Sequence, residues 1–299
     1  MFLGFGEVMM RVAPEHKLRL RQVLPGRVEI TWGGGEANVC ASLAMFGNQV
    51  RYVSALPDNT LAESLKTSLR GLGVDTSQIL TRAGRLGVYY VECGANQRGS
   101  TVLYDRAYSS VSLAEASEYD FASILEGVHW LHISGITPAV SRQAYEANLE
   151  LVKQAKEAGV EISCDLNFRK KLWKWHPDIQ GQELARQCMA EVLPFVDLVI
   201  GNEEDAADVL DIHPVDTDVT AGHLNVAAYK DVAQQIVAKY SNVKRVAITL
   251  RESISADHNN WGAMLYDAEG TAVFSPLNHE GEYESFKIGH IVDLSLIHI

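Results

Sequence analysis

Trp32-Gly33-Gly34-Gly35-Glu36-Ala37-Asn38 runs straight into an apolar helical pattern, Val39 to Phe46, that stops at Gly47. Three glycines ahead of a helix remove every Cβ where the chain turns, so a polar ligand can lie against backbone N–H groups and the positive helix start. Ala37, Cys40, Ala41 and Ala44, at i, i+3, i+4 and i+7, let the helix axis sit close to whatever it packs on. Gly47 suits the C′ position. A tight turn before a closely packed helix accounts for the stretch equally well, because short glycine motifs often arise without a ligand.

Outward from this stretch the chain alternates strand and helix. Phe2 to Met10 reads as a buried first strand, Gln49 to Ala55 as the next, and Thr60 to Leu72 as a helix with Thr60 or Asn59 as cap and Gly73 as stop. Later come strands at Trp130 to Ile133, Glu161 to Asp165, Leu198 to Gly201 and Arg245 to Leu250. Helices at Ser141 to Ala158, Gln182 to Leu193, Glu203 to Leu210 and Asn225 to Tyr240 separate them. Such alternation implies right-handed crossovers and a mostly parallel sheet, with ligands outside the carboxyl ends of its strands.

Two stretches break the pattern. Arg11 to Ile30 is basic, carries Pro14, Pro25 and Gly26, and reads as extended ribbon outside the core. Val88 to Cys93 and Ser100 to Tyr104 form a hairpin by spacing and turn chemistry. Together they can make a small separate sheet, for which a lid is one use.

At 299 residues, with 47% hydrophobic and 21% charged residues, the chain can bury a large core. A net charge of −12 argues against nucleic acid or an anionic membrane as partner, and an anionic small substrate needs local Arg or Lys. Cys40, Cys93, Cys164 and Cys188 form no C-x-x-C pair, and the N-terminus lacks a signal-peptide pattern, so a cytoplasmic location is expected.

The strand ends supply Ser134-Gly135, Asp165-Leu166-Asn167-Phe168-Arg169, Gly201-Asn202-Glu203-Glu204-Asp205 and Thr249-Leu250-Arg251. Asp165 can equally cap a turn. The acidic run serves either as a first helical turn that suits the macrodipole or as a place near Mg²⁺. Arg169, in a basic-aromatic patch, and Arg106, beyond Tyr104 on the hairpin, are suited to forked binding of a carboxylate. His129 and His132, three apart on a strand, face opposite sides and cannot share a metal ion. No H-E-x-x-H, G-x-S-x-G or Walker motif is present.

Gly4-Phe5-Gly6-Glu7, Gly33-Gly34-Gly35 with Ala37-Asn38, Ser134-Gly135, Asp165-Leu166-Asn167-Phe168-Arg169 and Gly201-Asn202-Glu203-Glu204 occur in the order found in ribokinase-type carbohydrate kinases, which the chain resembles up to Asp293. Gly-Glu on the first strand, Tyr-x-Arg and Asp-x-Asn-x-Arg make it most similar to their 2-keto-3-deoxygluconate kinase branch. The resemblance implies an α/β three-layer sandwich, with a mostly parallel central sheet and a small β-sheet lid. The core would take 1–10, 36–85 and 111–293, and the lid 11–35 and 86–110. It implies transfer of the ATP γ-phosphate to a sugar-acid hydroxyl with Mg²⁺. The oligomer is not fixed by the sequence, although lid sheets with exposed edges often pair, so a homodimer through the lid stays open.

Residue by residue, it implies that Gly34, Gly35, Asn38, Tyr89, Tyr104, Arg106, Gly135 and Arg169 contact the sugar acid. Arg169 also meets the transferred phosphate. Asn202, Thr249 and Arg251 would lie beside the nucleotide, and Asn202 and Asp205 would act on Mg²⁺ through water. Asp205 stands where the family has Glu, and Arg251 where it has Gly.

The family's catalytic Asp-x-x-Gly-Ala-Gly-Asp is matched only as far as Ile291-Val292-Asp293, followed by Leu294-Ser295-Leu296-Ile297-His298-Ile299. Those last codons can read CTG TCT CTT ATA CAC ATC, a transposase end used in library preparation. The expectation is that 294–299 is a non-native tail on an incomplete frame, and that this chain, lacking the base and the anion hole, turns over little or not at all. A neutral-sugar kinase of the fructokinase or ribokinase kind, and a non-catalytic sugar-acid binding protein, are the competing readings.

Overall fold

The computed structural model describes residues 1–214, 226–256, 258–278, 281 and 284–290. The expected first strand is two: β1 (Phe2–Phe5) and β2 (Met9–Ala13) belong to different sheets. The break falls at Gly6, where an added Cβ would stand 2.3 Å from the Glu36 carboxyl carbon. Nor is 11–30 a plain ribbon. It holds a 3-10 turn (Glu15–Lys17), a one-turn helix α1 (Leu20–Val23) and the start of β3 (Glu29–Gly33). The α1 turn is closed by Arg19 N donating to Gln22 Oε1 at 2.8 Å.

The chain continues through α2 (Gly35–Met45), β4 (Val50–Val53), β5 (Ala55–Leu56), α3 (Thr60–Gly71), β6 (Val74–Asp75) and β7 (Leu80–Thr81). Asn59 is the α3 cap, accepting from Ala62 N at 3.0 Å. The hairpin β8 (Val88–Glu92) and β9 (Thr101–Asp105) is followed by α4 (Ser110–Leu113), α5 (Phe121–Leu125), β10 (Trp130–Ser134), α6 (Ile136–Val140), α7 (Arg142–Glu157) and β11 (Glu161–Asp165). Then come α8 (Gly181–Val192), β12 (Leu198–Gly201), α9 (Glu203–Leu210), α10 (Val226–Lys239), β13 (Arg245–Ser255), β14 (His258–Asp267), β15 (Ala272–Ser275) and β16 (Phe286–His290).

The large sheet runs β15-β14-β13-β12-β11-β10-β1-β4-β6, with β16 also on β14. From β13 to β6 every pairing is parallel, and β14 to β16 add an antiparallel flank. Leu3, Phe5, Leu131, Ile133, Ile162 and Cys164 pack on one face against α7 and α8, in a core that extends to α9 and α10. Val50, Tyr52 and Cys40 join α2 and α3 in a second core. The smaller sheet runs β3-β2-β8-β9 and includes Met9 and Met10, which the sequence reading left with the core.

Candidate functional site

Because β1 and β10 to β13 are parallel, the residues following them lie along one edge. Gly6-Glu7, Ser134-Gly135, Asp165 and Gly201-Asn202 are at that edge, and Thr249 lies on β13 as it passes it. The glycine turn packs down on it. A Cβ at Gly34 would lie 2.4 Å from Glu7 O, so this glycine lets two backbones touch, whereas Gly35 meets only Asn167 Nδ2, at 3.9 Å. Gly135 is needed in the same way, since its Cβ would fall 2.2 Å from Leu166 O. Its N–H donates to Asp165 O at 2.8 Å.

Behind the turn, Glu36 is buried and its Oε1 accepts from Ser134 Oγ at 2.5 Å and Thr137 Oγ1 at 3.2 Å. Burial raises its pKa, against those hydrogen bonds and the Arg106 charge. Asn38 Nδ2 is buried with no hydrogen-bond partner, a donor ready for a hydroxyl.

The small sheet faces this turn through Tyr89 and Tyr104, register partners whose rings are 6.2 Å apart. The Tyr89 hydroxyl lies 2.3 Å from where a Gly33 Cβ would be. Arg106 is not an open cation: it is buried, and its Nε donates to Glu7 Oε2 at 2.7 Å while Nη2 donates to the same oxygen. Its guanidinium carbon stands 5.7 Å from the centre of the Tyr104 ring.

On the other side, the β11 exit turns through Asn167 at φ 37°, and Arg169 is exposed. Asp165 is pushed up to about 7, by burial first, then by Asp205, against the pull of Arg169. Asp205 and Asn202 cap each other: Asp205 N donates to Asn202 Oδ1 at 2.7 Å and Asn202 N to Asp205 Oδ2 at 3.3 Å. Asp205 Oδ1 also accepts from Phe168 N at 2.9 Å. With both oxygens engaged, Asp205 fits a hydrated Mg²⁺ met through water and not a direct bond. Asp165, Asp205 and Glu203 all titrate high, chiefly through burial and with neighbouring carboxylates adding to it, which leaves a negative field that a cation would balance. Among the described residues no cluster of three or more His, Cys, Asp or Glu is arranged to hold a metal by itself.

Thr249 is half-buried, and Arg251 Nε donates to Asn259 Oδ1 at 2.8 Å. The structure thus gathers Gly34, Gly35, Asn38, Tyr89, Tyr104 and Arg106 at the glycine turn, and Arg169, Asn202 and Asp205 around Asp165. Thr249 lies one residue past the Gly201–Ile248 pairing, level with Asn202, and Arg251 is near enough to Glu204 to feel its charge. The sequence reading gave no role to Glu7, Glu36 or Asn167. The one signal for them was position, each lying within two residues of a strand end or glycine turn. His132 is a core residue, its Nδ1 2.9 Å from Ser163 Oγ. Asp293 and the 294–299 tail lie outside the described residues.

Residues 3–251 match the model of the pfkB family carbohydrate kinases. A 2-dehydro-3-deoxygalactonokinase of Haloferax volcanii is 34% identical over 208 residues, covering 70% of this chain and 62% of that protein. The chain therefore spans about three fifths of the length of that curated relative. The crystal structure of 2-dehydro-3-deoxygluconokinase from Thermotoga maritima superposes with a TM-score of 0.86 at 39% identity, over 98% of this chain and 82% of that one. A sugar kinase of Pyrococcus horikoshii, crystallised with ATP, shares the fold at a TM-score of 0.68 and 18% identity, over 93% of this chain and 78% of that one.

Proposed function

Because the chain belongs to the pfkB family of carbohydrate kinases, we propose that it binds a 2-keto-3-deoxy sugar acid, 2-keto-3-deoxygluconate first, and serves its phosphorylation by ATP to the 6-phosphate. The observation that carries the sugar-acid half is Arg106, buried between Glu7 and the Tyr104 ring with Nη1 outside the ion pair. Glu7 already balances the guanidinium charge, but a ligand carboxylate can take the Nη1 end through charge-assisted hydrogen bonds that the hydroxyls of a neutral sugar make more weakly.

In the transfer, the sugar hydroxyl oxygen bonds to the γ-phosphorus as the bond to the ADP oxygen breaks, and the hydroxyl proton leaves to a base. The family pattern puts that base beyond Asp293. Asn38 and the Gly34-Gly35 turn hold sugar hydroxyls, Tyr89 and Tyr104 close over the ring as a lid, and Arg169 stands at the transferred phosphate. Bound Mg²⁺ would neutralise phosphate charge, and Asn202 and Asp205 would orient its waters. Thr249 and Arg251 flank the nucleotide. Four buried free cysteines fit a reducing cytoplasm. Among the described residues no helix is long and apolar enough to cross a membrane. A homodimer would form on the outer face of the small sheet, where Ile30 and Leu103 are 56% and 62% exposed.

Equilibrium titration tests the sugar-acid reading, since binding needs no base. The chain is expected to bind 2-keto-3-deoxygluconate or its C4 epimer at least tenfold more tightly than fructose, and Arg106→Ala to remove that preference. Equal affinity for fructose would move the assignment to a neutral-sugar kinase.

A further inference from the structure

Glu7 is the residue through which the two sheets meet. It sits in the Gly6-Glu7-Val8 link between β1 of the large sheet and β2 of the small one, and its partner Arg106 is the residue after β9. Its backbone carbonyl is what Gly34 packs against, so it touches the glycine turn by its main chain and Arg106 by its side chain. One carboxylate oxygen takes both the Nε and Nη2 donors of Arg106, while the other, Oε1, is buried with no hydrogen-bond partner. That oxygen fits because residue 87 is glycine: a Cβ there would stand 2.8 Å from Oε1 and 2.9 Å from Met9 Cγ.

We propose that Glu7 is a positioning residue for recognition of the ligand carboxylate: it grips one edge of the Arg106 guanidinium so that the Nη1 end is presented to the sugar acid. This rests on the sugar-acid reading above. The arrangement is not explained by charge alone, because a carboxylate beside Arg106 opposes the binding of a second anion. Held on one edge by Glu7 and against one face by Tyr104, the guanidinium has lost its rotational freedom before the ligand arrives. Orientation is what the pair gains.

Charge and orientation predict opposite signs for Glu7→Gln. Removing only a repelling charge would tighten binding of 2-keto-3-deoxygluconate, and losing orientation would weaken it. The test is calorimetric titration of the chain with 2-keto-3-deoxygluconate for the parent, Glu7→Gln, Arg106→Ala and the double variant, with thermal melts of each. Gly87→Ala is the fifth protein, since its methyl group pushes the Glu7 carboxylate without removing it. It carries the test if Glu7→Gln does not fold. We expect Glu7→Gln and Gly87→Ala each to weaken binding at least tenfold, and Glu7→Gln to add less than twofold in the Arg106→Ala background. Unchanged or tighter binding by Glu7→Gln, or a full extra loss in the double variant, would overturn the proposal. If Arg106→Ala itself binds like the parent, the sugar-acid reading has failed and Glu7 loses its role with it. If Arg106→Ala is weak and Glu7→Gln is not, only the role of Glu7 has failed.

Discussion

Asp165 titrates at about 7 because burial, Asp205 and Glu36 oppose its charge more than Arg169 supports it. An aspartate in an unfolded chain titrates near ~3.9. Between about pH 4 and pH 7 the folded protein therefore holds a proton that the unfolded chain has released, and stability falls as the pH rises through that window. Asp165→Asn removes this contribution. Its melting temperature should match the parent's near pH 4 and exceed it at pH 8, in thermal melts monitored by circular dichroism. The parent's slope will not vanish completely in the variant, because buried Glu36 is raised as well and acts in the same direction. A lower melting temperature for Asp165→Asn at pH 8 would mean that the carboxylate has a compensating partner, and the cation-balancing role assigned to this corner of the site would lose its basis.

The start of α9 shows how one element end can serve two loops. Asn202→Ala deletes a cap side chain and should cost about 1 kcal/mol in urea unfolding. Asp205→Ala deletes a cap partner and also the acceptor for Phe168 N, and should cost about 2 kcal/mol. If the two losses are equal, the Phe168 contact contributes nothing. Elements of this kind were legible in the sequence where the chemistry is local. Gly47, Gly73 and Gly159 end their helices at φ 85°, 90° and 75°, and Asn59 caps α3 through its side-chain oxygen. The strand and helix alternation also set the edge on which the site residues fall. What was not legible depends on partners distant in sequence. An apolar run from Phe2 to Met10 does not show that its two halves pair in different sheets. Pro138 conceals α6, and β14 to β16 are recognisable only from their antiparallel partners. Glu7 and Glu36 read as ordinary carboxylates until the fold buries them.

Among the described residues, the two faces of the large sheet are unequally covered. On the face opposite the α7 and α8 core, β12 and β13 carry Leu198, Ile200 and Ala247, all only partly buried. In the next strands Leu265 and Val273 are 44% and 59% exposed, and they pair with Ala247 and with each other respectively. A continuous apolar strip of this kind binds hydrophobic dyes and associates. Sedimentation at rising concentration, with dye fluorescence in parallel, separates it from the dimer contact proposed for the small sheet. Leu103→Lys should abolish a discrete dimer and leave the dye signal, whereas Leu265→Lys should lower the dye signal and spare the dimer. A dimer that survives Leu103→Lys places self-association elsewhere. The position of β1 has a further effect on how the chain is made. It leaves the ribosome before both of the strands it pairs with, being hydrogen-bonded on one side to Val50–Val53 and on the other to Trp130–Ser134. At translation speeds of about 5–20 residues per second, the flank that pairs with Trp130–Ser134 waits of order 6–26 s for its neighbour to be synthesised. Over that interval the nascent protein displays an unpaired row of amides and carbonyls, which makes it a customer for holding chaperones before it has any site at all.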